Sequence, residues 1–252
     1  MRIGDFGVPF EKTSLKRRPD LEDQVHRLAG EGWPAFLLHG GMPHWEKLFG
    51  EFADYQILFL DPAGNVVSVG HTIPFFWDCT PDDLPDRMAD LMNRAVEDRR
   101  GGREPNALSA LAAIVSLDHR RRGLSTEVLR AMRTLVRENG LASFVAPVRP
   151  TLKAAYPLTP FVRYVEWRRE DGSPFDPWLR VHRRLGAEPL KLMPEALTVV
   201  GTIAEWEAWT GIAFPESGRY VVPGALQPVV IDRERDIGRY DDPNIWMRHP
   251  IR

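Results

Sequence analysis

The chain has almost no cysteine and no long hydrophobic run. Cys79 is the only cysteine among 252 residues, which excludes an intrachain disulfide framework and gives no information about a metal site. No apolar segment reaches the roughly 20 residues that a membrane-spanning helix needs, and the N-terminus has no signal-peptide core. We therefore expect a cytoplasmic protein with no membrane partner.

An excess of charge of either sign is also missing. The formal net charge is -2, so nothing in the composition favours nucleic acid or an anionic membrane surface. The histidines form no HExxH pattern or close pair with a carboxylate, and Gly-x-Ser-x-Gly is absent, so neither a metal site nor a hydrolase elbow is expected. Hydrophobic residues make up 43% of the chain, which is enough to bury a large core.

The most informative segment is a junction at which an apolar run meets a basic turn and then a helical pattern. Residues 108–117 predict a buried strand, and apolar residues between 128 and 136 recur at helical spacing up to Asn139-Gly140, a typical helix stop. Residues 141–148 predict a second buried strand. The turn itself holds three arginines and Gly123. Because the first amides of a helix are unpaired and carry the positive end of its dipole, this junction predicts a phosphate site.

The turn resembles the pyrophosphate loop of the GCN5-related N-acetyltransferases. The pattern Arg120-x-x-Gly123-x-Ser125 matches the family signature of Gln or Arg, two residues, Gly, one residue, then Gly or Ala, except that serine stands at the last position. The resemblance implies acetyl-CoA or another acyl-CoA as the donor, bound by loop amides and by main-chain groups of the preceding strand. The residues expected to contact the donor are Val115, Leu117, Arg120, Arg121, Arg122, Gly123, Leu124, Ser125 and Thr126.

A second resemblance lies at the end of a later helix. Family members end their last long helix in a pattern like Tyr-x-x-Leu-Gly, and this chain has His182-x-x-Leu185-Gly186. In many relatives that tyrosine protonates the leaving CoA thiolate, so the resemblance implies that His182 does so here as an imidazolium. The alternative is a histidine at a helix end that faces the C-terminal dipole.

The resemblance implies an α/β (α+β) fold with a mixed, mostly antiparallel central sheet flanked by helices. A hairpin over residues 56–76 fits its central pair. We also expect helices over 20–28, capped by Asp20, over 44–53 and over 84–99, with a strand or buried loop over 33–38. Insertions of about 78–105 and 150–175, and a C-terminal extension of about 202–252, would enlarge a single domain that spans residues 1–252.

The extension carries its own signals. Residues 196–201 and 218–231 predict strands, and Thr202-x-x-Glu205 predicts a capping box that opens a short helix. The last stretch, 232–252, is polar. Its aromatic residues Tyr240 and Trp246 either pack a tail onto the body or form the contact of a homodimer.

The second insertion leaves the end of the fifth expected strand, so we interpret it as the wall or lid of the acceptor site. Its best contacts are Tyr156, Tyr164, Glu166 and Trp167, and His71 of the hairpin could also line the acceptor pocket. No carboxylate lies in residues 108–117, so the general base stays open. The alternatives are Glu104, Asp118, Glu166, or a water chain through Ser109 or His71.

The sequence therefore favours an acyl-CoA-dependent N-acyltransferase that moves acetyl to an amine of a small molecule or peptide by direct attack, without a metal. One alternative is a catalytically silent acyl-CoA sensor or partner protein, because the strand carboxylate and the tyrosine are both missing. A nucleic-acid-binding module is a third, disfavoured by the near-neutral charge.

Overall fold

The computed structural model describes residues 2–3 and 10–251, and this part of the chain forms ten strands. In chain order, β1 to β10 are Arg2–Ile3, Phe10–Ser14, Ile57–Leu60, Val66–Phe75, Ala107–Val115, Ser143–Val148, Glu188–Gly201, Gly218–Tyr220, Val229–Asp232 and Ile237–His249.

All ten strands join one sheet in the order β1-β2-β3-β4-β5-β6-β10-β9-β8, and β7 pairs with β10. Strands β5 and β6 are parallel, whereas the other described pairs are antiparallel. The expected mixed and mostly antiparallel sheet is thus confirmed. The β3–β4 hairpin, closed at Asp61 to Asn65 by backbone bonds, lies within the predicted residues 56–76.

Helices cover both faces of this sheet. In chain order, α1 to α6 are Glu22–Gly32, Met88–Arg100, Leu124–Glu138, Phe161–Val165, Pro177–Arg184 and Ile203–Thr210. Neighbouring strand residues such as Ala107 and Leu108 belong to different hydrophobic clusters, because side chains alternate across a strand. Helix α3 packs on the cluster of Leu108, and α2 packs on the cluster of Ala107.

Helix α3 shows why its sequence folds as it does. Val128, Leu129, Met132 and Val136 are fully or almost fully buried on one face, and burying each such side chain stabilises the fold by about 1.5–3 kcal/mol. The helix ends where the sequence predicts, with Asn139 as its C-cap and Gly140 in the left-handed region at φ 66°. No helix in the described residues is long and apolar enough to cross a membrane.

Three N-terminal expectations need correction. The first helix begins at Glu22 after a 3₁₀ turn over Pro19–Leu21, and Asp20 does not cap it, because its carboxylate binds Arg18 instead. Residues 44–53 form no long helix but two 3₁₀ turns, Trp45–Leu48 and Ala53–Tyr55, with His44 in the left-handed region. The segment 33–38 is neither strand nor loop, since Ala35–His39 is a 3₁₀ helix.

The C-terminal stretch differs most from its expectation. Instead of a polar tail, β10 is a 13-residue strand that pairs with β6, β7 and β9. Tyr240 and Trp246 are 1% and 0% exposed, so they pack inside the fold and are not available for a dimer contact. Buried polar residues, among them Asp242 and Asn244, hide the apolar alternation that identifies a strand.

Candidate functional site

A cleft opens where the two parallel strands separate. Strand β5 pairs with β6 only from Ala107–Ser143 to Ser109–Val145. Beyond these pairs the two strands diverge, and residues 110–115 and 146–148 line opposite walls of a cleft of about 490 Å³. Main-chain groups that a neighbouring strand would satisfy therefore face a space that can hold a ligand.

One wall of the cleft carries an irregularity in the β4–β5 ladder. His71 pairs with Ala112 and Thr72 pairs with Ala110, so Leu111 is an extra residue on β5 without a partner on β4. This β-bulge releases the main chain of Leu111 from the ladder at a position that lines the cleft. A free strand amide is suited to polarise a carbonyl group.

The turn after β5 closes one end of the cleft. A short 3₁₀ helix, Leu117–His119, leads to two residues in the left-handed region, Arg121 at φ 64° and Gly123 at φ 76°. Helix α3 then begins, and no described side chain caps its N-terminus. The first amides of α3 are therefore free for an anion, which fits the predicted phosphate site.

Most of the residues predicted for the donor line this cleft. Val115, Arg120, Arg121, Gly123, Leu124 and Ser125 do so, and His119 joins them. Leu117, Arg122 and Thr126 are not among the lining residues. The side chain of Leu117 points outward and is 57% exposed, because the 3₁₀ turn begins there and ends the strand alternation.

His182 also lines the cleft, from the last turn of α5. Asp176 caps this helix by accepting the amides of Trp178 and Leu179 at 2.8 and 3.1 Å. Nδ1 of His182 lies 2.8 Å from Nε2 of His249. The outer nitrogen of each ring, Nε2 of His182 and Nδ1 of His249, is buried without a hydrogen-bond partner in the described residues.

Burial sets the protonation of this histidine pair. Burial and, secondarily, His249 lower the pKa of His182 well below its usual 6.5. Burial and the nearby Arg133 lower the pKa of His249 to about 4. Both rings are neutral near pH 7, which differs from the imidazolium expected at His182, because burial without an acidic partner disfavours the charged form of each ring.

The aromatic residues of the second insertion lie away from the cleft lining. Tyr156, Tyr164 and Trp167 pack on one another and on Phe175, with ring centroids 5.1 to 6.2 Å apart. The Tyr164 hydroxyl donates to Asp176 at 2.9 Å. The described structure thus places this cluster as a support for α5, and none of the three lines the cleft.

The remaining predicted residues are also outside the lining. Glu166 is exposed at the end of α4, so its carboxylate is solvated. His71 is 1% exposed and its Nδ1 lies 2.9 Å from the side-chain oxygen of Gln56. It packs against Trp45 and Phe49, which makes it a core residue.

Sequence reasoning missed the wall opposite the phosphate turn. It is formed by Trp33 and Pro34, which follow α1, by Arg149 and Thr151, which follow β6, and by Asn244 of β10. Arg149 carried one usable signal, since it is the first charged residue after the buried strand β6. Asn244 carried none, because it lies in the stretch interpreted as a tail.

Arg149 is held in place by several contacts. Its Nε donates to both carboxylate oxygens of Asp242 at 3.0 and 2.9 Å, and its Nη2 donates to the carbonyl of Gly224 at 2.8 Å. Tyr240 donates its hydroxyl to the same carboxylate. Although burial alone would lower it, the pKa of Arg149 is raised above its usual value by Asp242 and Tyr240.

Asn244, in the same wall, has a side-chain oxygen without a hydrogen-bond partner in the described residues. It is 8% exposed, and its Oδ1 is buried without a partner in the described residues. An unsatisfied buried carbonyl costs about 1–3 kcal/mol. A ligand that donates an N–H group would remove this cost.

Comparisons with known proteins identify a related sequence and solved structures with a similar fold. The chain is 32% identical to the arginine N-acetyltransferase avaD of Aspergillus versicolor, over 96% of this chain and 94% of that protein. No family model matches the chain. The loading GNATL domain of CurA from Lyngbya majuscula has a TM-score of 0.65 at 16% identity, over 96% of this chain and 98% of that one.

A second solved structure, the GphF GNAT-like decarboxylase in complex with isobutyryl-CoA, has a TM-score of 0.60 at 17% identity, over 96% of this chain and 99% of that one. At these identities the two structures support the fold alone.

Proposed function

Since this chain belongs to the GCN5-related N-acetyltransferase superfamily and is an acyl-CoA-dependent N-acyltransferase, we propose that it transfers acetyl from acetyl-CoA to a free amino acid. Arginine is the first candidate for that amino acid. The name of the 32% identical relative supports arginine as acceptor. The observation that carries the proposal is the cleft between β5 and β6, which runs to the uncapped N-terminus of α3.

The donor occupies the β5 wall in this proposal. The pyrophosphate binds the free amides after Gly123, where the helix dipole and the nearby arginines favour negative charge. The pantetheine arm follows the unpaired edge of β5 along residues 111–115, taking the place of a neighbouring strand. The thioester carbonyl then meets the main chain at the Leu111 bulge, which is released from the β4 ladder.

Proton transfer falls to His182 in this proposal. The acceptor nitrogen attacks the thioester carbonyl, so that a C–N bond forms, the C–S bond breaks, the nitrogen loses a proton and the CoA thiolate must gain one. His182 lines the cleft, and its Nε2 is buried without a hydrogen-bond partner in the described residues. In the proposed mechanism the neutral ring accepts the proton at Nε2 and then donates it to the thiolate. His249 is a positioning residue, since its Nε2 contacts Nδ1 of His182 and fixes the tautomer.

The proposed reaction can be tested with purified protein, acetyl-CoA and arginine. We expect release of free CoA, followed by thiol detection, and an acetylated arginine identified by mass spectrometry. Reactions without acceptor control for hydrolysis of the thioester.

A binding measurement separates failure of transfer from failure of donor binding. Acetyl-CoA should raise the melting temperature, and the stabilisation should grow with the logarithm of one plus its concentration over Kd. If it does so while no amine in a broad panel releases CoA, the proposed transfer is wrong and a catalytically silent acyl-CoA-binding protein is favoured.

A further inference from the structure

Asn244 and Arg149, two polar residues of the cleft lining, lie at the end of the β6–β10 strand pair. Ile245 of β10 pairs with Val148 of β6 in an antiparallel ladder. Continued one residue beyond this last pair, the register brings Asn244 level with Arg149, which directly follows β6 where the cleft opens. Paired residues in an antiparallel ladder have Cα atoms about 4.5–5.5 Å apart, so two residues level with each other just beyond its end are close enough to bind adjacent groups of one ligand.

The guanidinium of Arg149 has donors left over. Its Nε and Nη2 donate to Asp242 and Gly224, and Nη1 takes part in none of these three bonds. These contacts fix the plane of the guanidinium, and a guanidinium offers five N–H groups. The remaining Nη1 is therefore a preoriented donor for an anionic oxygen, of which a carboxylate is the best match.

Asn244 offers the complementary group. Asn244 lines the cleft, and its Oδ1 is a buried acceptor without a partner in the described residues. A ligand group that donates N–H satisfies it. A donor for a carboxylate beside an acceptor for an N–H group matches the head group of an α-amino acid, whose carboxylate and amine are attached to the same carbon.

We propose that Arg149 and Asn244 form an acceptor subsite that binds the carboxylate and the amine of a free α-amino acid. The assignment rests on the proposed function and narrows its acceptor class. Amines that lack the carboxylate, and residues inside a peptide, lose the contact with Arg149. Trp33, which lines the same wall and has its ring 6.0 Å from the guanidinium carbon of Arg149, covers the subsite with an apolar surface.

The test compares amino acids with the amines formed by their decarboxylation. Each pair, such as arginine and agmatine or lysine and cadaverine, keeps the side chain and one amine while losing the carboxylate. We expect the amino acid of the most active pair to have a kcat/KM about 10-fold to 100-fold higher than its amine, as the loss of one charge-assisted hydrogen bond implies. An amine that reacts as well as its amino acid overturns the proposal.

The Asn244→Ala variant should raise KM for the amino acid about 10-fold and leave KM for acetyl-CoA unchanged. Because Oδ1 makes no hydrogen bond within the described residues, the substitution removes none there, and the variant is expected to fold.

Arg149→Lys keeps a cation beside Asp242 but lacks Nη1. It should reduce the preference for the amino acid over its amine to less than 3-fold, about the scale of a weak neutral contact. Asn93→Ala, on α2 and away from the cleft, is the matched control and should behave as wild type.

Binding distinguishes failure of the subsite from failure of the proposed reaction. With CoA present, arginine should bind in calorimetry and agmatine should bind at least 10-fold more weakly, whether or not turnover occurs. Equal binding of both, or full binding by Asn244→Ala, overturns the subsite. Selective binding of arginine without release of CoA from acetyl-CoA leaves the subsite supported and contradicts the transferase proposal.

Discussion

The two walls of the cleft are built in different ways. The donor wall, β5 with the turn at 116–123 and the start of α3, is one continuous segment, and the proposal assigns its main-chain groups to the donor. The acceptor wall combines Trp33, Arg149 and Asn244 from three distant segments, and it presents side chains. A main-chain surface suits a ligand that every family member shares, whereas a side-chain surface can change with the acceptor. In the proposed mechanism, proton transfer belongs to a third element, α5, which brings His182 to the cleft.

The largest effect is expected from His182→Phe. Loss of the proton carrier should reduce kcat by about 10² to 10⁴, while KM or Kd for acetyl-CoA changes little, because the donor wall is intact. Steady-state kinetics and calorimetry measure the two quantities. A variant with wild-type kcat would remove His182 from the mechanism.

The donor wall is tested by Gly123→Ala. Gly123 has φ 76°, and a side chain in the left-handed region costs about 1–2 kcal/mol, so the turn should shift and KM for acetyl-CoA should rise about 10-fold. Gly102→Ala is the control, since Gly102 has a similar φ of 68° with no atom within 4 Å of an added Cβ. An equal effect of the two substitutions would mean that general strain, and not donor binding, explains the result.

The insertion cluster is tested by Tyr164→Phe. Removing the hydroxyl that donates to Asp176 should lower the free energy of unfolding by about 1 kcal/mol, as measured by urea denaturation. Because the cluster lies outside the cleft lining, both KM values should stay unchanged. A selective rise in KM for the acceptor would restore the insertion as part of the acceptor wall.

The smallest expected effect is a flat pH profile for kcat. Since the pKa of His182 is lowered well below 6.5, the ring stays neutral from about pH 8 down through 6.5, and kcat at saturating substrates should change less than about 2-fold over that range. It should fall only at lower pH, when the ring gains a proton. If an imidazolium performed the reaction, kcat would instead fall as the pH rises.

The sequence predicts the donor wall better than the acceptor wall. The turn from Arg120 to Ser125 and the helix after it were readable because strand, turn and helix are local and consecutive. The place of His182 near the end of its helix could be predicted because Leu185-Gly186 follow it at a fixed distance. Its protonation state could not be predicted from the local sequence, because its partner His249 is 67 residues away.

The acceptor wall was beyond local patterns for a physical reason. Strand β10 contains Asp242, Asn244 and His249 as buried polar residues. Asp242 binds Arg149 and His249 contacts His182, both from distant segments, so local patterns do not predict their burial. The aromatic residues of the second insertion gave the opposite error, because they predicted a binding surface where the structure has a packed cluster. Tyr164 and its neighbours satisfy one another, so an aromatic-rich loop indicates a packed cluster as readily as a binding surface.

A crystal structure with CoA and arginine tests the central claim most directly, since it locates both substrates at once. The account predicts the pyrophosphate on the amides that follow Arg120, and the carboxylate of arginine within hydrogen-bond distance of Nη1 of Arg149. It also predicts an arginine N–H group on Oδ1 of Asn244. CoA outside the β5–β6 cleft, or arginine bound against the insertion cluster at Tyr156 and Trp167, would contradict the account.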